Sequence, residues 1–216
     1  MILHRFQHRV GSRANIGILL ALLLACVPTL TLNAQQSGTA IVFYAQARAS
    51  EDLWPDLLQS LRADLAAGSG ELPNGFVLDQ NPTFFLGNDD LATGINFSKV
   101  IEVKLLGRCD VLPQTYRPSL SGPLGWVLQV SGEIQPFVFV DCTRLAQVLR
   151  STAAGLDKQG RRRAMTQAIA HVVIHEWIHI ATQNPAHGAR GITKQYLSVN
   201  DLIAEPSTNG LLIASH

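Results

Sequence analysis

The chain has 216 residues and a mass of 23.5 kDa; 47% of its residues are hydrophobic, 15% are charged, and its formal net charge is +1. That is enough for one domain with a sizeable core; it is too apolar for a wholly disordered chain, and seventeen Gly with ten Pro are too few for a collagen. Residues 1–34 hold Arg5, Arg9 and Arg13 and no acidic side chain, so the remainder carries 14 basic against 16 acidic groups, a balance that gives no electrostatic reason to bind nucleic acid or an anionic membrane surface.

The chain opens with a basic head to Arg13, an apolar run from Ile16 to Cys26, Pro28, and then Leu32-Asn33-Ala34. This is the three-part pattern of a secretory signal peptide over residues 1–34, cut near Ala34. The apolar run is shorter than the roughly 20 residues a membrane span requires, so the mature form is expected to have no stable span. An alternative is a lipid anchor through Cys26, since Leu23-Leu24-Ala25-Cys26 is similar to a lipobox, although Leu24 is bulky for that site. Export leaves Cys109 and Cys142 as an even pair in an oxidising compartment, where a disulfide between them is expected.

The body, residues 38–205, reads as one α+β domain in which a small mixed sheet with an edge hairpin packs on a long buried metal-binding helix. Ile41 to Tyr44 is a first strand. Asp52 can cap a helix in which Leu53, Leu57, Leu61 and Leu65 recur every four residues, ending near Gly68. Phe76 to Leu78 and Phe84 to Leu86 are short strand candidates, and Val100 to Leu106 is a longer one. Trp126 to Val130 and Ile134 to Val140 flank a short Gly-containing loop and read as a hairpin. Pro136 has no N–H for a ladder, which makes the second of these strands the expected sheet edge. Asp141 or Thr143 can cap a following helix through Leu149. From Arg161 to Gln183 the chain reads as one helix, apolar on most sides in its later half; its three opening arginines have the wrong charge for a helix N-terminus and are expected to be solvated. Ser198 and Asp201 form a capping-box pattern for a short helix through Ala204. Residues 206–216 read as a loose tail.

Four of the seven histidines, His171, His175, His179 and His187, fall in a 17-residue window. Within it stands His175-Glu176-Trp177-Ile178-His179, an H-E-x-x-H motif on a predicted helix. A spacing of four is just over one helical turn, so both rings leave one face and can share Zn²⁺. Glu176 lies beside them, suited to act as general base toward water. The third ligand is expected to be His187, eight residues after His179 across the Asn184-Pro185 turn signal; Glu205, 26 residues beyond His179, is the competitor. His171, one turn before His175, reads as a supporting or packing side chain.

This arrangement resembles the zincin metallopeptidases, nearest in ligand type to the metzincin branch. It departs from that branch in the gap of eight to the third His, the absence of the Gly between, and the lack of a downstream Met-turn. The longer H-E-x-x-H-x7-H-x3-G stretch is similar to uncharacterised secreted bacterial proteins. The resemblance implies a secreted or periplasmic zinc metallopeptidase acting on a peptide or protein, with metal ligands His175, His179 and His187 and base Glu176. It also implies that a sheet-edge strand lines the cleft, for which Ile134 to Val140 is the candidate, and that Lys194 or Tyr196 can reach a developing oxyanion. The alternatives are a zinc-stabilised extracytoplasmic binding or structural module, or an inactive pseudopeptidase. The sequence carries no sign of oligomeric state.

Overall fold

The computed structural model describes residues 38–46, 53–67, 77–87, 96–111, 121–189 and 191–205, all of them within one compact unit, Gln35–His216. The signal segment, Cys26, the Asp52 cap, Phe76 and the tail from Pro206 lie outside the described residues. The elements are β1 (Thr39–Ala45), α1 (Leu53–Ala67), β2 (Thr83–Leu86), β3 (Lys99–Leu106), β4 (Gly125–Val130), β5 (Glu133–Asp141), α2 (Cys142–Ala153), α3 (Lys158–Thr182) and α4 (Val199–Ile203). Val77 and Leu78 are not in a strand.

The five strands form one mixed sheet in the order β2-β1-β3-β5-β4. β1, β2, β3 and β5 run parallel, and β4 alone is antiparallel, paired to β5. The β4–β5 hairpin turns on Ser131 and Gly132, whose φ of 53° and 86° are both positive, as a tight two-residue turn between twisted strands requires.

Pro136 does not mark the sheet edge. β5 is flanked by both β3 and β4, and the edge on that side of the sheet is β4. The proline is tolerated because the β3 ladder begins only at Phe137, and on the other side the β4 register shifts between Val127 and Gln129. Pro136 therefore falls where neither neighbour asks for an N–H.

α3 packs against β5 and β4 on one side and against α1, α2 and α4 on others. This accounts for its apolar later half, which is buried without interruption from Ala168 to Ala181. The helix begins three residues before the arginines, at Lys158, with the Asp157 carboxylate accepting from the Gly160 N–H at 2.6 Å. The arginines thus do not form the first turn, and of the three Arg163 is exposed while Arg161 and Arg162 are half-buried. Arg161 donates to the Leu156 carbonyl and Arg162 pairs with Asp56 of α1, each at 2.5 Å. Asp141 caps α2 by accepting from the Arg144 N–H, and the Cys109–Cys142 disulfide fixes that helix start to the segment following β3. By the chain-entropy model a loop of this size stabilises the fold by roughly 3–4 kcal/mol. Among the described residues no helix is long and apolar enough to cross a membrane.

Candidate metal centre and cleft

The H-E-x-x-H segment occupies the last two turns of α3, where His175, Glu176 and His179 are all buried. Two features end the helix and reverse the chain. Gln183 adopts a left-handed conformation (φ 51°, ψ 30°), and the Asn184 side chain accepts from the Ala186 N–H at 2.9 Å. Gln183 also clamps the helix end to the hairpin: its carboxamide accepts from the Ile134 N–H at 3.0 Å and donates to the Ile134 carbonyl at 2.9 Å. The return loop is held by Gly188 N–H to the Thr193 carbonyl at 2.9 Å, and a 3₁₀ turn follows at Gly191–Thr193.

The outcome is that His187 meets the helical pair. The ligand nitrogens of His175, His179 and His187 lie within 4.8 Å of one another. Ring centroids are 4.8 Å apart for His175–His179 and His179–His187 and 5.3 Å for His175–His187. Among the described residues these three form the group able to hold a metal ion. Glu205 is exposed and outside it. His171 is outside it too. Its Nδ1 donates to the Leu202 carbonyl at 3.1 Å, and its Nε2 lies 3.1 Å from Gln167, which donates to the wholly buried Asp64 carboxylate. That network joins α1, α3 and α4, so the ring is a packing group.

The donor set fits a cation on its own chemistry. His175 Nδ1 donates to the Ile192 carbonyl at 2.5 Å, and His179 Nδ1 donates to the Asn184 carbonyl at 2.7 Å. A carbonyl only accepts, so in each neutral ring the proton sits on Nδ1 and Nε2 presents a bare lone pair. Those two Nε2 atoms are 3.1 Å apart, an unfavourable contact between two acceptors. On a tetrahedral ion with bonds of roughly 2.0–2.1 Å, ligand atoms stand about 3.4 Å apart, so a cation turns this contact into coordination with little rearrangement. Burial and the neighbouring imidazoles lower the pKa of His175 to about 4 and also lower that of His187, burial being the larger cause in both.

Glu176 points into the same cleft, and burial alone pushes its carboxyl up to about 7. The approach of β4 is what encloses it. A Cβ on Gly125 would stand 2.4 Å from Val172 Cγ1, 3.1 Å from the Phe139 carbonyl and 3.3 Å from Glu176 Oε1; only glycine lets the edge strand come this close to the helix. The cleft, about 790 Å³, is walled by β4 and the residues just before it, by Arg144 and Val148 of α2, by the metal face of α3, and by Lys194 to Leu197. The strand that lines it is therefore β4. Ile134 to Val140, one strand further in, does not. Lys194 is committed to Asp201 at 2.5 Å, whereas Tyr196 stands 81% exposed at the rim.

Sequence reasoning gave no role to Gln183 or Gly125. Gly125 carried a partial signal, a glycine just before the Trp126 strand, but the closeness of that strand to the metal helix is a tertiary fact. Gln183 carried none, because left-handed helix ends usually take Gly or Asn. Comparison of the chain with protein-family models, curated proteins and solved structures gives no match.

Proposed function

We propose that the protein is an extracytoplasmic zinc-dependent hydrolase of peptide bonds, similar in chemistry to the zincins, with His175, His179 and His187 as metal ligands and Glu176 as general base. The observation that carries this reading is the buried Glu176 carboxyl sharing one cleft with three clustered imidazoles. When bound, zinc supplies Lewis acidity, polarising a carbonyl and acidifying water to a pKa of roughly 7. Glu176, poised near neutrality, takes a proton from water and returns it to the leaving amine. The Ile192 and Asn184 carbonyls hold the two helical imidazoles in the tautomer and orientation that ligation needs. The outer edge of β4, which no strand covers among the described residues, suits an extended chain added in the strand-addition mode of peptide recognition.

Three protein ligands rather than four favour catalysis over a purely structural zinc, which is ordinarily closed by four. Secretion is supported by the signal-peptide pattern and by the disulfide. The test is Glu176→Gln assayed on a generic peptide library with metal analysis alongside. The variant is expected to keep one equivalent of zinc and lose turnover by roughly a hundredfold or more. Equal turnover in the two proteins would remove Glu176 as base, and zinc binding without any turnover in the wild type would leave a structural module.

A further inference from the structure

The sheet has two unlike faces. Ile101, Val103 and Leu105 of β3 and Val138 and Val140 of β5 are buried in the core, on the side where α3 packs and gathers α1, α2 and α4 to itself. Side chains alternate along a strand, so Val100, Glu102 and Lys104 of β3 and Phe137 and Phe139 of β5 belong to the other face, which no described helix covers. That face is apolar where water should meet it. Of the eight large hydrophobic residues that stand exposed among the described residues, five lie on it: Tyr44, Val100, Trp126, Leu128 and Val130, between 36% and 51% exposed. A contiguous patch of this kind marks a contact surface.

The patch is built in two rows. Residues paired across strands share a face, so the register places Tyr44, Lys104, Phe139 and Trp126 in one row across four strands. Two residues along each strand stands the second row: Val42, Glu102, Phe137 and, at the register shift of β4, Leu128. Trp126 stacks on Phe139 with centroids 5.3 Å apart, and Lys104 Nζ sits over the Phe139 and Phe137 rings at 5.8 and 6.0 Å. The ammonium therefore lies along the aromatic surface rather than away from it. It does so on β3, the middle strand of the five. Glu102, on the same strand and the same face, carries the opposite charge and has no salt-bridge partner among the described residues.

We infer that this face is the interface of a two-fold homodimer. In face-to-face sheet packing the axis lies between the two sheets, and an axis crossing the strands at the level of Val103 sets β3 antiparallel upon its own copy. The first row of each copy then faces the second row of the other. Lys104 meets Glu102 of the second copy, twice over, while Phe139 meets Phe137 and Trp126 meets Leu128. The patch is thus self-complementary, as an isologous interface requires. A lipid surface would leave both central charges without partners, which is why a second copy is the occupant. The metal centre lies with α3 under the opposite face, so both clefts stay open and the inference does not rest on the hydrolase reading.

The test is the oligomeric state of the zinc-loaded protein by sedimentation equilibrium. Wild type is expected to dimerise at micromolar concentration. Lys104→Glu and Glu102→Lys each set like charges opposite one another and should weaken the homodimer by roughly a hundredfold or more, with zinc content unchanged. Mixing the two variants should restore a dimer that holds one copy of each, and the double variant Lys104→Glu/Glu102→Lys should again dimerise with itself. A second measurement needs no variant: zero-length carbodiimide cross-linking of mixed unlabelled and isotope-labelled wild type should join Lys104 of one copy to Glu102 of the other. Wild type that stays monomeric at about 100 μM, whether free in solution or carried onto zwitterionic vesicles, overturns the inference. So does a dimer indifferent to both charge reversals, or one whose cross-links between copies join other residues.

Discussion

His175 Nε2 and His179 Nε2 face each other at 3.1 Å while both rings spend their Nδ1 protons on backbone carbonyls. The pair is therefore held with two lone pairs converging, and the fold itself maintains that arrangement through Ile192 and Asn184. His187 completes the set from an exposed loop. His187→Ala is expected to weaken zinc binding roughly a hundredfold or more, beyond what loss of a supporting hydrogen bond costs. Glu205→Gln is expected to leave stoichiometry near one. Chelator competition on both variants checks this, and the opposite ranking would move the third ligand to Glu205.

Glu176 is expected to cost the metal-free protein stability. Its folded value of about 7 lies above the ordinary 4.5, so between those pH values the folded state keeps a proton that the unfolded chain has released. Stability therefore falls as pH rises through that window, by about 3 kcal/mol in all at 1.36 kcal/mol per unit. Gln at this position pays no such penalty. His175, held at about 4 when folded, contributes the opposite slope below 6.5, but equally in both proteins. Urea unfolding with chelator present should show Glu176→Gln more stable than wild type at pH 8 and nearly matched at pH 4. A constant difference across pH would refute the burial argument.

The elements legible in the sequence were those whose signal is local. The Leu53 to Leu65 stripe, the hairpin turn and the Ser198–Asp201 capping box each depend on neighbours a few residues away, and each appears as read. The H-E-x-x-H face and the return to His187 belong to the same group, since the Asn184-Pro185 turn lies between them. Non-local facts were not legible. Whether β5 is an edge depends on β3, whose paired residues lie 35 positions upstream, and Pro136 misled because the ladder gap that accommodates it is a tertiary feature. Arg162, one turn into α3, likewise took meaning only once α1 supplied Asp56.

Gly125→Ala should injure both the fold and the site. The added methyl meets Val172 Cγ1 at 2.4 Å and the Phe139 carbonyl at 3.1 Å, and a β-branched side chain in a helix has little rotamer freedom with which to retreat. We expect a loss of about 1–3 kcal/mol and, because Glu176 Oε1 is also 3.3 Å away, a lowered kcat at unchanged zinc content. Val172→Ala combined with Gly125→Ala should recover part of the stability, since it removes the closest contact. Thermal melts of the two single variants and the double variant measure the coupling, and strict additivity would show that the clash is relieved elsewhere.

Gln183 separates conformational strain from bonding. Its side chain makes contacts of 2.9–3.0 Å to both backbone groups of Ile134 and to the Ile180 carbonyl, from a left-handed backbone that favours glycine. Gln183→Ala loses the bonds and keeps the strained φ, and should cost about 1–3 kcal/mol. Gln183→Gly loses the same bonds but relaxes the backbone, so it should be less destabilised by about 1 kcal/mol. Both variants free the end of α3 from β5, and with it the Asn184 carbonyl that orients His179. Zinc affinity should therefore fall by roughly tenfold in each. Denaturant melts give the first comparison and chelator competition the second; unchanged zinc affinity in both variants would mean that the 184–187 return is held by its own turn rather than by the clamp to the hairpin.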